Sequence, residues 1–378
     1  ERLVRKYADK LVRAGLAEPG EPLVGGLDAE IVWSRPDPAC AMLEEVFAGL
    51  NINSLLLCRP AEPYRSLIEH LAARSGGAVR PSDCETRTFL HDLPVAEKFS
   101  AARIVAALRQ RKSVIVPGRG VVTAGTVSPE QAFVVFSSVC FACFVKFFSD
   151  FLAGGADAAG RAVFDAAAAR LDPLPAEPPP LARGPFRAEG EVYDALCEAG
   201  RKTVELRLVD SYFGNISYRL GQTLYISQTT SSLDEMEGMI DPVPLDGSSC
   251  AGITASSELS AHRQVVQTSG NRALLHGHPK FSVILSMDCR REGCQLRGEC
   301  HRRCPHARAI GDVPVVPGEV GAGRWGLCNT LPPAMVGRRG VIVYGHGVFT
   351  VGEDDFNVPL ANLIAIERMC REEYFRRL

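Results

Sequence analysis

The sequence predicts an α/β protein built from two domains. Short apolar runs typical of strands alternate with stretches of helical periodicity, the order expected when helices cover a sheet. The chain has 378 residues, and chains of this length usually divide into more than one domain, each with its own hydrophobic core. A proline-rich segment near its middle separates two halves. We therefore expect one sheet with covering helices on each side of that segment.

The first half alternates clearly between helix and strand. Leu3, Tyr7 and Leu11 recur at helical spacing and predict a helix over 3–16. The remaining predicted elements, in chain order, are strands within 23–33, a helix over 39–49, a strand at 55–57, a helix over 99–109, a strand at 114–116, a turn at 117–120 and an apolar helix over 129–150.

The apolar run over 132–148 resembles a membrane span in composition but not in length. It contains two serines and Lys146, and it is shorter than the stretch that a bilayer requires. We interpret it as a buried helix, and we expect no membrane partner.

Charge and cysteine content narrow the class of protein further. A formal net charge of -2 argues against nucleic acid or an anionic membrane as the main partner. The 13 cysteines are an odd number, and no secretory segment accompanies them at the start of the sequence. We therefore predict reduced thiols and a cytoplasmic protein.

The domain boundary is predicted from composition. A helix over 157–171, capped by Asp157, is followed by a stretch from Pro173 to Pro185 that holds six of the 25 prolines. We assign residues 1–171 to a first domain, 172–188 to a linker and 189–378 to a second domain.

Three histidines of the second domain form a pattern typical of a catalytic metal site. His276 and His278 follow the apolar residues 273–275, and alternate residues of a strand share one face. His346 lies between two glycines after a second apolar run. Three imidazoles with an open fourth position suit a catalytic zinc or another divalent ion. The alternative is three unrelated core or turn histidines.

Four segments in order resemble the class II aldolase/adducin family of sugar-phosphate lyases and their relatives. They are Phe-Gly-Asn-Ile-Ser at 213–217, Ser-Ser-Glu at 256–258, His-Gly-His-Pro at 276–279 and Gly-His-Gly-Val at 345–348. The resemblance covers most of residues 189–378. It implies an α/β/α domain with a central, mostly antiparallel β-sheet flanked by helices.

The resemblance implies a lyase that cleaves or forms a carbon–carbon bond in a small hydroxy-carbonyl compound through a metal-stabilised enediolate. His276, His278 and His346 would hold the ion, and Glu258 would move protons. Glutamate in this motif favours cleavage over epimerisation. An epimerase, a dehydratase, a decarboxylase and a non-catalytic adducin-like interaction module are the alternatives.

The family binds a substrate phosphate through residues of three motifs. The matching positions in this chain are Asn215, Ser227, Thr229, Ser256 and Ser257. A glycine that the family usually carries near the second motif is missing here, which leaves open whether the substrate is phosphorylated.

The two halves share an internal repeat. Residues 114–125 align with 341–352 with eight identities in twelve positions, and 55–60 align with 274–279. The positions of His276, His278 and His346 hold Leu57, Arg59 and Arg119 in the first half, and that of Glu258 holds Ala39. We interpret the first domain as a degenerate, non-catalytic class II aldolase-like copy that lacks the Gly-Asn-Ile-Ser segment.

A cysteine-rich insert over 289–306 separates the histidine pair from His346. Its cysteines, Cys289, Cys294, Cys300 and Cys304, have the spacing C-x4-C-x5-C-x3-C and precede a proline. Four thiolates this close in sequence can surround a second Zn²⁺ or a [4Fe–4S] cluster, and the spacing leaves both open. The alternatives are unligated cysteines in a surface loop and a redox or iron sensor that controls the domain.

The family assembles into rings with active sites at subunit boundaries. A tandem chain would supply two ring positions, which predicts a homodimer that forms a four-domain ring. In such a ring the first domain would present Arg59 or Arg119 to a substrate anion.

Overall fold

The protein is described by a computed structural model, which covers residues 1–154, 157–210, 212–319 and 323–378. The chain forms two compact units, Glu1–Asp172 and Pro173–Leu378, called the first and second unit below. Each unit consists of β-sheet flanked by helices, which confirms the α/β class.

The first unit combines helices with an antiparallel sheet of order β2-β1-β3-β7-β6 and a separate β4-β5 pair. Its helices are α1 (Arg2–Arg13), α2 (Cys40–Gly49), α3 (Tyr64–Arg74), α4 (Cys84–Leu90), α5 (Ala101–Leu108), α6 (Pro129–Leu152) and α7 (Ala158–Ala168). Its strands are β1 (Leu23–Leu27), β2 (Ile31–Trp33), β3 (Ser54–Cys58), β4 (Ala78–Val79), β5 (Leu93–Pro94), β6 (Ser113–Val116) and β7 (Gly120–Gly125).

The second unit has one large sheet of order β10-β9-β8-β11-β15-β14-β13-β12, in which β13 and β14 are parallel and the other pairs antiparallel. Its helices are α8 (Glu189–Glu205), α9 (Leu259–Ser269), α10 (Lys280–Met287), α11 (Leu327–Met335) and α12 (Asn357–Arg377). Its strands are β8 (Asn215–Leu220), β9 (Thr223–Ser227), β10 (Ile240–Pro244), β11 (Ala273–Gly277), β12 (Arg308–Ile310), β13 (Val313–Val316), β14 (Val341–Val343) and β15 (Gly347–Gly352).

Helix α6 is long and apolar enough to cross a membrane by length and composition alone, yet 89% of its most apolar window is buried inside the protein. It packs on α1, α3 and β7, with side chains such as Phe136 and Phe148 fully buried. These contacts are those of a core helix, as predicted.

Strands β3 and β7 pair in the same register as β11 and β15. Leu57 lies opposite Val122 in the first unit, and His276 lies opposite Phe349 in the second. These are the pairs that the alignment of the two halves makes equivalent. The preceding helices also correspond, because Ala39 precedes α2 as Glu258 precedes α9.

The first half lacks the Gly-Asn-Ile-Ser residues, as the sequence shows, but the predicted strand near residue 23 occupies the equivalent place in its sheet. Strand β1 pairs with β3 as β8 pairs with β11, so Leu23 stands where Asn215 stands in the second unit. The two strands differ in side chains and agree in backbone pairing. Strand position is therefore maintained by hydrogen bonds that the residue types do not reveal.

One glycine in each unit allows the same close backbone approach. A Cβ atom on Gly120 would lie 2.2 Å from the carbonyl oxygen of Cys58, and a Cβ on Gly347 would lie 2.4 Å from that of Gly277. Real Cβ atoms do not come this close to an oxygen, so both turns require glycine for steric reasons.

We predict that Gly120→Ala lowers the free energy of unfolding of the first unit by at least about 3 kcal/mol, because both backbone strain and the clash with Cys58 act. Gly118→Ala is the matched control. Gly118 also has a positive φ of 73°, but a Cβ atom added there would have no heavy atom within 4 Å, so we expect about 1–2 kcal/mol.

Denaturant unfolding followed by Trp33 fluorescence in a Trp325→Phe background would measure both changes, since the chain has one tryptophan in each unit. Equal losses in the two variants would contradict the proposed role of the close approach.

Candidate metal centre

The three histidines meet at the end of two neighbouring strands. His276 belongs to β11, His278 follows it, and His346 occupies the turn from β14 to β15. All three are buried, and one ring nitrogen from each lies within 4.8 Å of the others. We call this group the histidine centre. The antiparallel pairing of β11 with β15 brings the turn beside the histidine pair.

Hydrogen bonding and stacking fix the orientation of His276. Its Nδ1 lies 3.0 Å from the carbonyl oxygen of Val348, and its ring stacks on Phe349 with centroids 3.9 Å apart. A carbonyl oxygen accepts only, so Nδ1 carries the hydrogen and the lone pair of Nε2 points into the centre. A carbonyl partner of this kind commonly orients a metal-binding histidine.

His278 completes the pair. Its Nε2 lies 2.9 Å from that of His276, and its ring stacks against Phe213. Two nitrogens bound to one ion at about 2.0–2.1 Å would lie about 2.9–3.4 Å apart, depending on the angle. The Nδ1 atom of His278 is buried without a hydrogen-bond partner within the part of the chain that the structure describes.

The turn that carries His346 is held from both sides. The backbone N–H of Gly345 donates to Ser286 Oγ over 2.8 Å. On the other side, a Cβ on Gly347 would lie 2.7 Å from Cε1 of His276. Any larger residue at this position would therefore push the turn away from the histidine pair.

The protonation state of the His276 and His278 rings suits the binding of a metal cation. Burial lowers the pKa of His276 to about 4, although the nearby Glu258 partly opposes this shift. Burial also lowers the pKa of His278, and the neighbouring His276 and His346 add to the effect. The two rings are thus neutral at pH 7, and neutral imidazole is the form that binds metal. The donor set and its geometry fit a divalent ion.

Glu258 lies beside the histidine centre and precedes α9. Its Oε1 is 3.1 Å from His346 Nε2, and its Oε2 is 3.6 Å from His276 Nε2. Burial raises the pKa of the Glu258 carboxyl, but His276, His346 and a hydrogen bond from Asn215 more than offset this and hold the pKa well below its usual value. The buried group is therefore a carboxylate.

A chain of hydrogen bonds behind Glu258 fixes its position. Asn215 Nδ2 donates to Glu258 Oε2 over 2.7 Å, and Asn215 Oδ1 lies 2.5 Å from His262 Nε2. Since a carboxylate only accepts, the amide oxygen faces His262, and His262 Nε2 carries the hydrogen. The Nδ1 of that ring is then free to accept from Ser217 Oγ over 2.7 Å. Each of the buried polar groups in this series of hydrogen bonds therefore has a hydrogen-bond partner.

His262 and Ser217 were not identified as site residues from the sequence. Two spacings could have indicated them. His262 follows Glu258 by four residues on α9, and Ser217 follows Asn215 by two on β8, so each pair shares a face.

The candidate phosphate-binding residues lie on adjoining segments next to Glu258. The backbone N–H of Ser256 donates to the carbonyl of Ser227, and that of Thr229 donates to Thr254. Ser256 and Ser227 are buried, and their hydroxyls accept from the N–H groups of Glu258 and Ile216 respectively.

The other two hydroxyl-bearing candidates, Thr229 and Ser257, are exposed. Asn215 differs from all four, because its amide is engaged with Glu258 and His262.

The fold and the histidine centre together define an α/β domain with a candidate divalent-metal site. Residues 194–374 match the family model described as class II aldolase and adducin N-terminal domain. This half of the chain belongs to the class II aldolase and adducin family, as the sequence motifs indicated.

Solved structures of similar fold carry related names. The chain is similar to L-fuculose-1-phosphate aldolase from Thermus thermophilus, with 24% identity over 50% of this chain and 95% of that one, at a TM-score of 0.41. It is similar to YgbL from Klebsiella pneumoniae, a putative aldolase/epimerase/decarboxylase, with 21% identity over 50% of this chain and 91% of that one, at a TM-score of 0.41. It is also similar to a sugar-phosphate aldolase from Thermotoga maritima, with 17% identity over 50% of this chain and 94% of that one, at a TM-score of 0.36. No curated protein matches the chain in sequence.

We predict that His262 weakens the second unit at acidic pH. Burial lowers the pKa of His262 to about 3, from an ordinary 6.5. Between these values the unfolded chain binds a proton that the folded unit does not, so the free energy of unfolding falls as the pH falls. His262→Gln should reduce this slope by as much as about 1.4 kcal/mol per pH unit.

The slope would be measured on metal-free protein by denaturant unfolding between pH 6 and pH 4, with Trp325 fluorescence in a Trp33→Phe background. The absolute stability of the variant does not matter for this test. A slope equal to that of the parent would show that His262 is not buried in its neutral form.

Proposed function

We propose that the second unit is a metal-dependent lyase of the aldolase type, which cleaves or forms a carbon–carbon bond in a small hydroxy-carbonyl compound. The observation that carries this proposal is the convergence of three buried imidazoles beside one buried carboxylate. The family match over residues 194–374 supports an aldolase-type activity at the level of the family.

His276, His278 and His346 are the proposed ligands of a divalent ion, with zinc the expected metal. The ion would supply a Lewis acid that lowers the energy of negative charge on a substrate oxygen. Because the histidine ligands are neutral, they do not reduce its positive charge. The burial of the rings also keeps competing water away from the centre.

Glu258 is the proposed carrier of the proton. In the cleavage direction its Oε1 takes a proton from a substrate hydroxyl, an aldehyde leaves, and the electrons of the broken bond form an enediolate. The same carboxyl then returns the proton to carbon. Asn215 donates to Oε2, and Oε1 lies 3.1 Å from His346 Nε2, so we assign the proton transfer to Oε1, the oxygen on the side of His346.

A phosphate on the substrate would bind where 227–229 runs beside 254–257. The exposed hydroxyls of Thr229 and Ser257 and the start of α9 lie on these segments. An epimerase, a dehydratase or a decarboxylase would use the same centre, so the products decide between these reactions.

We infer that the first unit is a degenerate copy of the second. The shared strand register, the helix that starts at the equivalent position and the equivalent glycine contacts support this inference. Its residues at the ligand positions are Leu57, Arg59 and Arg119, none of which binds a cation, and the Arg119 guanidinium lies over the ring of Phe99. A non-catalytic role therefore suits this unit.

We expect the chain to form a homodimer in the cytoplasm, so that four class II aldolase-like units complete a ring. Size-exclusion chromatography with light scattering should give twice the mass of one chain. The mass of a single chain would rule out the ring.

We predict that His278→Ala loses the bound metal and all lyase activity, because only two imidazoles remain. Glu258→Gln should keep the metal and lose about 10²–10⁴-fold in turnover, since an amide cannot take up the proton. Metal analysis and a screen of hydroxy-aldehydes, ketoses and their phosphates would measure both effects.

Mass spectrometry of the products separates the reactions, because cleavage gives two smaller carbonyl compounds and epimerisation leaves the mass unchanged. His70→Gln in α3 of the first unit is the control and should retain both metal and activity. Full turnover by Glu258→Gln would exclude the proton-carrier role.

A further inference from the structure

Four cysteines between α10 and β12 line a single cavity, and none of the three histidines of the histidine centre is among its lining residues. Cys289, Cys294, Cys300 and Cys304 all contribute to its wall, and the cavity has a volume of about 190 Å³. None of the four forms a disulfide. Residues spread over sixteen positions of an irregular segment thus converge on one space.

We propose that this cavity binds a [4Fe–4S] cluster through the thiolates of Cys289, Cys294, Cys300 and Cys304. The proposal concerns the insert alone and does not depend on the lyase function of the histidine centre.

The size of the cavity favours a cluster over a single ion. One tetrahedral zinc with Zn–S bonds of about 2.3 Å would bring its sulfurs to about 3.8 Å from each other. Among the described residues, the histidine centre is the one group of three or more donors close enough to share an ion, and the cysteines form no such group. The cavity is also several times the roughly 30 Å³ that one water occupies in the liquid.

The thiols are available for ligation. Cys300 Sγ lies 3.8 Å from the carbonyl oxygen of Leu296, and Cys304 Sγ lies 3.7 Å from that of His306. These are weak contacts that an iron–sulfur bond can replace, with the thiol proton released to solvent. Pro305 follows the last cysteine, as a proline does in ferredoxin-type ligation.

The charge around the cavity complements a cluster. Four thiolates and a [4Fe–4S]²⁺ core carry a net charge of −2, and Arg291 and Arg308 line the same cavity. A third arginine organises the loop, because Arg297 Nη2 donates to the carbonyl oxygens of Arg291 and Cys289 over 3.0 and 3.4 Å. Guanidinium groups and backbone N–H groups near the sulfurs stabilise such an anion.

The cavity also contacts the segment that positions His346. Arg308 Nη2 donates to the carbonyl oxygen of Ser286 over 2.8 Å, and the hydroxyl of Ser286 accepts from Gly345 N–H. The Arg308 guanidinium lies 5.5 Å from the ring centroid of Tyr344. A cluster in the insert would therefore brace the turn before His346 through two residues.

The test is to load the full chain under argon with ferric iron, sulfide and a dithiol, which supplies the two electrons that four ferric ions need to give the [4Fe–4S]²⁺ core. We expect four irons and four sulfides per chain, broad visible absorption, and a paramagnetic signal after reduction. Replacing all four cysteines by serine should abolish these signals.

Three further variants make the result specific. Cys294→Ser tests the site with a single change at a partly exposed position, in case the fourfold variant does not fold, and should lose most of the cluster. Cys250→Ser, an exposed cysteine outside the insert, should retain it. His278→Ala should also retain it, so that failure of the lyase proposal and failure of this one remain distinguishable.

Two results would overturn the proposal. One is a protein purified without air that holds one zinc at the insert and takes up no iron with sulfide. The other is a cluster that persists after Cys294→Ser and after the fourfold change, which would place it elsewhere in the chain.

Discussion

The antiparallel pairing of β11 with β15 is the constraint on which the candidate site depends. It sets His276 opposite Phe349, so that one ring is clamped by stacking while its Nδ1 donates to the adjacent carbonyl oxygen of Val348. The same pairing brings the β14–β15 turn, and His346 with it, over the histidine pair. A slip of one residue would turn His276 to the other face of the sheet and separate the ligands.

Burial then determines the chemistry of these groups. Water is excluded from both the imidazoles and the carboxylate, so each must either be neutral or have a compensating partner. The rings of His276 and His278 meet this condition as neutral bases, and Glu258 meets it through its neighbours. Three imidazole rings beside a single carboxylate form a donor set that suits a divalent cation.

The sequence predicted those parts of the site that depend on short-range geometry. His276 and His278 could be placed together because strand periodicity fixes two residues on one face, and His346 because glycines mark a tight turn. Spacing could have indicated His262 and Ser217 as candidates, but their hydrogen bonds to each other and to Asn215 could not be predicted, because these bonds depend on how α9 packs against β8. Family membership of the second half was likewise accessible from four ordered motifs.

In the first unit, the apolar helix α6 and strands β3 and β6 were predicted because their hydrophobic patterns are strong, whereas strand β7 was not predicted. Helices α3 and α4 and the β4-β5 pair were missed, as their apolar residues are few and interrupted by charged side chains. The equivalence of β1 with β8 could be recognised only from strand pairing, because Leu23 and Asn215 have nothing in common chemically.

Gly120 and Gly347 meet the same backbone requirement in two units whose neighbouring side chains differ. In both units the chain passes so close to the preceding strand that a methyl group does not fit, whatever side chains surround the turn. The position before this glycine holds Arg119 in one unit and His346 in the other, whereas the close approach requires glycine in both. A scaffold of this kind can lose or regain its ligands by substitution of side chains alone, while its main-chain path stays fixed.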